Sequence, residues 1–178
     1  MQTMHLRQSP ILSFDGRISV IDATSRNDGE KASVTQNTNS VFSRIASGEL
    51  DSVRVESEAY CFSFIPIEPV TPGHVIVASR RQVDNWADLE DLELASMSAM
   101  AKRIGAALTE LYQAPKIGLL IAGFTVAHAH MHVAPIWDSS DIAASASADT
   151  IMSLEQRVEI AASLQTVLNR DADANSVR

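Results

Sequence analysis

"VAHAHMHVAP", Val126 to Pro135, holds three of the chain's five histidines, each two residues from the next. Side chains of an extended strand alternate between its faces, so this period puts His128, His130 and His132 on one side. Ala127, Ala129, Met131 and Val133 then point the other way, into packing. The imidazoles form a row, roughly 7 Å apart along the backbone, on a rigid element. Three uses fit such a row. It is an incidental polar surface; or a His-x-His pair on zinc, with a third ligand brought in by folding; or a site for phosphate chemistry. In the last case a neutral imidazole is a competent nucleophile near pH 7, and cationic neighbours bind phosphate oxygens.

The segments around the row predict its setting. "VFSRIASGEL" carries Val41, Phe42, Ile45 and Ala46 on one helical face, with Gly48 as the stop. "SVRVES" is a short strand that turns at Ser57-Glu58 into "AYCFSFIPI", where Tyr60, Phe62 and Phe64 share one face and Cys61, Ser63 and Ile65 the other. "EPVTPGH" is a loop and "HVIVAS" a β-branched strand. A long helix runs from Asp88 or Asp91 to Tyr112, with Met97, Met100, Ala101, Ile104, Leu108 and Leu111 along its buried stripe. "KIGLLIAG" reads as a buried strand and "TVAHAHMHVAPI" as the next. A last helix spans Ser153 to Leu168, with Val158, Ala161, Ala162 and Leu164 or Val167 inward, and the tail from Asn169 frays. This order predicts an α+β domain with a mainly antiparallel sheet of about five strands. Residues 41–137 form the domain and 138–178 a polar segment with a helix. Residues 1–40 form an extension, with a hairpin at Asp15-Gly16 and a linker from Asp22 to Ser40.

Composition narrows the function classes. With 178 residues, 46% hydrophobic and 20% charged, the chain suits one domain with extensions. A net charge of -8 argues against duplex nucleic acid as a partner, though a locally positive pocket still suits a phosphorylated small molecule. The single cysteine, Cys61, excludes an internal disulfide framework and any multi-cysteine zinc site, and reads as a small core residue. No stretch approaches eighteen uninterrupted apolar residues, and Met1 to Pro10 lacks the apolar core of a signal peptide, so the expectation is a cytoplasmic protein without a membrane partner.

Over Val41 to Trp137 the sequence resembles the histidine triad (HIT) family. "VFSRIASGEL" resembles that family's opening helix, "FSFIPIEPVTPGHVIVASRRQVDN" its strand, Pro-Gly-His loop and following strand, and "GFTVAHAHMHVAPI" its His-x-His-x-His motif. The resemblance implies a homodimeric α+β fold that binds a nucleotide beside the histidine strand. It also implies hydrolysis or transfer at the α-phosphorus of phosphoramidates or dinucleoside polyphosphates. His130 would be the nucleophile, His132 a phosphate contact and His128 an orienting group, with no metal or other cofactor required. Phe42, Ile45 and Phe64 resemble the apolar wall around the base, and Thr125 stands where a hydroxyl could donate to phosphate. His74 reads as structural.

Departures from the family pattern bear on recognition. Many members have a Cys-x-x-Cys belonging to a zinc site; Ser40 and Ser43 stand there instead. Pro66 occupies the position of an aspartate that holds the ribose, and Phe124 lies near a glutamine position. The expected function is a nucleotide hydrolase or transferase working through a nucleotidyl-His130 intermediate. The alternative is a module that binds a phosphorylated ligand or a protein with little or no catalysis.

Overall fold

The computed structural model describes residues 39–141 and 151–176. The hairpin expected at Asp15-Gly16, and most of the linker after it, lie outside the described residues. The elements follow the order helix α1 (Val41–Ser47), strands β1 (Arg54–Ser57), β2 (Cys61–Phe64) and β3 (Val75–Ser79), helix α2 (Asp91–Tyr112), strands β4 (Lys116–Leu120) and β5 (His130–Ile136), and helix α3 (Leu154–Ser176). The strands form one antiparallel sheet in the order β1-β2-β3-β5-β4. The expected α+β architecture with five strands is therefore present.

Alternation along the strands divides the sheet into two apolar faces. Cys61, Val75, Val77, Met131 and Val133 point to α2 and α3, joining Met97, Met100, Ile104, Leu108, Ala161 and Leu164 in the main core. Phe62, Phe64, Ile76 and Ala78 point to the other face, where Phe42 and Ile45 of α1 cover them. The register pairs Ala78 with His130 and Ile76 with His132. Across β3, Phe62 pairs with Ala78 and Phe64 with Ile76. The histidines thus extend the aromatic rows of the α1 face.

Several sequence expectations shift. β4 was expected to be buried, but among the described residues it is the sheet edge, hydrogen-bonded to β5, and Leu119 and Leu120 are exposed. Leu111 lies at the exposed side of the last turn of α2 and falls out of the buried stripe. α3 continues to Ser176 rather than fraying at Asn169, tied to α2 by a bidentate pair of Arg170 on Glu110 at 2.8 and 2.6 Å. Its inner stripe is Ala161, Leu164, Val167 and Leu168, so Val158 and Ala162 face outward. The tie to α2 and the docking on the sheet set this phase.

The Pro72-Gly73-His74 loop depends on its glycine. Gly73 has φ +86°, and a Cβ there would stand 2.6 Å from the Tyr112 ring. Gly73→Ala is expected to lose about 1–3 kcal/mol, because both the left-handed backbone and the close ring oppose a methyl group. Urea unfolding measures it; a midpoint equal to the parent's would refute the close packing of this loop on α2.

Candidate active site

Helix α1 begins the site. Ser40 caps it by accepting the Ser43 N–H at 3.0 Å, and Gly48, at φ +80°, closes its end. This short helix lays Phe42 edge-on against His130, with ring centroids 4.9 Å apart, and against His128 at 5.7 Å. Phe64 meets Phe42 at 5.4 Å, and Ile45 is buried in the same cluster. The three residues expected to form an apolar wall are thus brought together beside the triad.

The triad is only partly a strand. β5 starts at His130, two residues later than an alternating row through His128 requires. Before it the chain turns: His128 N–H bonds to Val126 O at 2.8 Å and Ala129 N–H to Val83 O. This turn leaves Ala127 exposed rather than packed underneath, and buries the His128 ring completely. His130 and His132 do share a face, with ring centroids 4.9 Å apart. Thr125 is exposed in the preceding segment, and the hydrogen bonds of the three imidazoles to described residues do not include it. Phe124 is 91% exposed and Pro66 is buried.

Hydrogen-bond partners fix the tautomer of each imidazole. A carbonyl oxygen can only accept, so a ring nitrogen facing one carries the proton. His128 Nε2–H donates to the Ser79 carbonyl at 2.7 Å, which leaves Nδ1 to accept from the Ser40 hydroxyl at 2.6 Å. His130 Nδ1–H donates to the His128 carbonyl at 2.6 Å, so its Nε2 carries a lone pair that no described residue engages. His74 Nδ1 accepts the Val70 N–H at 3.3 Å, and its Nε2–H therefore donates to His132 Nδ1 at 3.0 Å. The remaining proton of His132 sits on Nε2, as a donor.

Burial keeps these rings neutral. Desolvation lowers the pKa of His128 and His130 below the usual histidine value. It brings His132 to about 4, helped by His130, and His74 to about 3, helped by His132 and His130. Cationic flanking histidines were one expectation for this row; instead His132 presents a neutral N–H. Sequence reasoning treated His74 as structural, yet its ring stacks on His132 at 5.1 Å and sets its proton. Gln82 went unnoticed, because a glutamine after a strand carries no motif, but its Oε1 accepts from the Ser43 hydroxyl at 2.8 Å. Among the described residues, no group of three or more His, Cys, Asp or Glu is arranged to hold a metal ion.

The fold and this site together define a small α+β domain that carries a row of neutral imidazoles of fixed tautomer. The chain belongs to the HIT domain family, whose profile matches residues 47–137, just over half of its length. It is 29% identical over 108 residues to an uncharacterized 16.1 kDa HIT-like protein of Mycoplasma pneumoniae, covering 58% of this chain and 75% of that one. It is 32% identical over 79 residues to the bifunctional bis(5'-adenosyl)-triphosphatase/adenylylsulfatase FHIT of Arabidopsis thaliana, covering 42% of this chain and 44% of that one. The crystal structure of a HIT-like protein involved in cell-cycle regulation from Bartonella henselae superimposes with a TM-score of 0.65 at 24% identity, over 74% of this chain and 97% of that one.

Proposed function

We propose that this protein is a HIT-type hydrolase or transferase that acts at a nucleotide α-phosphorus through a covalent nucleotidyl-His130 intermediate. One observation carries the reading: the proton of His130 is held on Nδ1 by the His128 carbonyl, leaving Nε2 as a free nucleophile. Nε2 attacks the α-phosphorus as the bond to the leaving amine or phosphate breaks. The new P–N bond makes the imidazole cationic, and the carbonyl on Nδ1–H stabilises that charge. His132 Nε2–H donates to a phosphate oxygen as negative charge gathers there. Water then attacks phosphorus, the P–N bond breaks, and a nucleoside monophosphate leaves with His130 restored. Splitting the displacement in two is the gain of covalent catalysis.

The Arabidopsis relative, named for triphosphatase and adenylylsulfatase activities, supports a substrate of this class. Phe42, Ile45 and Phe64 would wall the base side, and Thr125, exposed here, would reach phosphate only if its segment closes over a ligand. A panel of adenosine and guanosine phosphoramidates and dinucleoside polyphosphates tests the reading. Turnover of at least one supports it; turnover of none refutes it. A second reading, a module that holds a phosphorylated ligand without chemistry, draws on Pro66, buried where a ribose-holding aspartate is common. Calorimetry showing nucleotide binding at micromolar level with no product favours that one.

The active form is proposed to be a homodimer joined through β4. Edge strands present unpaired backbone groups, and this one also exposes Leu119 (56%) and Leu120 (44%). Leu119→Lys is expected to convert a dimer to a monomer in light scattering; a monomeric parent protein would sink the idea.

A further inference from the structure

Where many family members carry a Cys-x-x-Cys of a zinc site, this chain has Ser40 and Ser43, and both hydroxyls turn toward His128. Gln82 completes the cluster. Its Oε1 accepts from the Ser40 backbone N–H at 2.9 Å and from the Ser43 hydroxyl at 2.8 Å. Ser40 Oγ accepts the Ser43 N–H and donates to His128 Nδ1. These four residues do not suit zinc. They offer one imidazole, two neutral hydroxyls and an amide, with neither thiolate nor carboxylate. Gln82 Oε1, both hydroxyls and His128 Nδ1 are already engaged with one another or with the Ser40 backbone.

We propose that Ser40, Ser43 and Gln82 form a hydrogen-bonded clamp in place of a metal, and that they are positioning residues for His130, acting through His128. The clamp pins the His128 ring at Nδ1, while the Ser79 carbonyl pins it at Nε2. A ring held at both nitrogens fixes the residue whose carbonyl sets the proton of His130. The same bonds anchor the start of α1, and so hold Phe42 against the His130 ring. The catalytic part of this inference rests on the proposed function; the clamp itself is a statement about His128.

Three variants of Ser40 separate the donor from the helix cap. Ser40→Ala removes both. Ser40→Gly keeps most of the cap preference but has no side chain to donate to Nδ1. Ser40→Thr keeps cap and hydroxyl. With the phosphoramidate or dinucleoside polyphosphate that the parent protein turns over, Ser40→Ala and Ser40→Gly are expected to lower kcat about tenfold, the scale of one net hydrogen bond, with KM little changed. Ser40→Thr restores kcat. In imidazole 1H–15N correlation spectra, His128 of the parent has a protonated Nε2 and an accepting Nδ1. The Nδ1 resonance moves toward that of an unbonded pyridine-type nitrogen in Ser40→Ala and in Ser40→Gly. Unchanged His128 resonances in both variants overturn the clamp. An unchanged kcat in both overturns the positioning role. A parent protein that turns over no nucleotide fails the proposed function and with it the positioning role, while the spectra still decide the clamp.

Discussion

His130→Ala is expected to reduce turnover of any accepted nucleotide by at least about a thousandfold, the order seen when a covalent nucleophile is removed. In this site the loss follows from proton placement. His130 Nε2 is the unprotonated nitrogen of the middle ring, and His132 presents an N–H where the proposed reaction needs a donor. Neither neighbour can take over. His128 has Nδ1 engaged by Ser40 and Nε2 by Ser79, and His132 has Nδ1 engaged by His74. His130→Gln fills more of the space beside Phe42 and is expected to lose turnover equally, which separates lost chemistry from lost packing. The pH profile gives a second reading of the same assignment. Burial lowers the His130 pKa, so Nε2 is already unprotonated below the usual histidine value. The acidic limb of kcat/KM is therefore expected below pH 6.5, and a limb above it would contradict the burial of this ring. Turnover that survives both substitutions would place the nucleophile elsewhere.

The sequence made much of the fold legible because period-two and three-four patterns report which side of an element is covered. Phe62 and Phe64 were separable from Cys61 and Ile65 for that reason, and the stripe from Met97 to Leu108 was visible in α2. The same logic misread β4. An apolar strand reads as buried whether its second neighbour belongs to its own chain or not, and "KIGLL" lies at an edge with Leu119 and Leu120 exposed. The phase of α3 was hidden because alanines are weak markers of a face; its register comes from docking on α2 and β1, where Gln165 donates to the Arg54 and Val55 carbonyls. At the site, His130 and His132 followed from alternation, but His128 did not. Its ring is placed by a turn and by partners 49 and 88 residues away, Ser79 and Ser40. A Ser-x-x-Ser at a helix start reads locally as a cap, and its second use exists only once the chain is folded.

Acidification is expected to weaken the folded protein before its ion-paired carboxylate Glu93 titrates. His74 and His132 hold their protons apart in one bond, Nε2–H to Nδ1 at 3.0 Å. A second proton on His132 would set two donors against each other, and one on His74 Nδ1 would displace the Val70 N–H. Their folded pKa values, about 3 and about 4, lie below the usual 6.5 that the unfolded chain recovers. Between these limits the unfolded state binds more protons, so stability rises with pH. It is fully present above 6.5 and is withdrawn as pH falls toward the folded values, by about 1.4 kcal/mol per pH unit for each ring. Moving from pH 7 to pH 5 is then expected to cost roughly 4 kcal/mol, a large share of the stability of an ordinary domain. Glu93 acts in a lower window. Its hydrogen bonds from Arg81 depress its pKa below 4.5, so its contribution is present above that value and lost only as pH falls further. Glu56, whose pKa burial raises above 4.5, works against this trend, so the histidine contribution is read from the difference between the parent protein and a histidine variant. Urea midpoints measured from pH 6.5 to 4.5 should slope steeply in the parent protein and less in His74→Gln, which keeps an amide donor for His132 but has no group to protonate. Equal slopes would show that the His74–His132 pair is not buried in its neutral form.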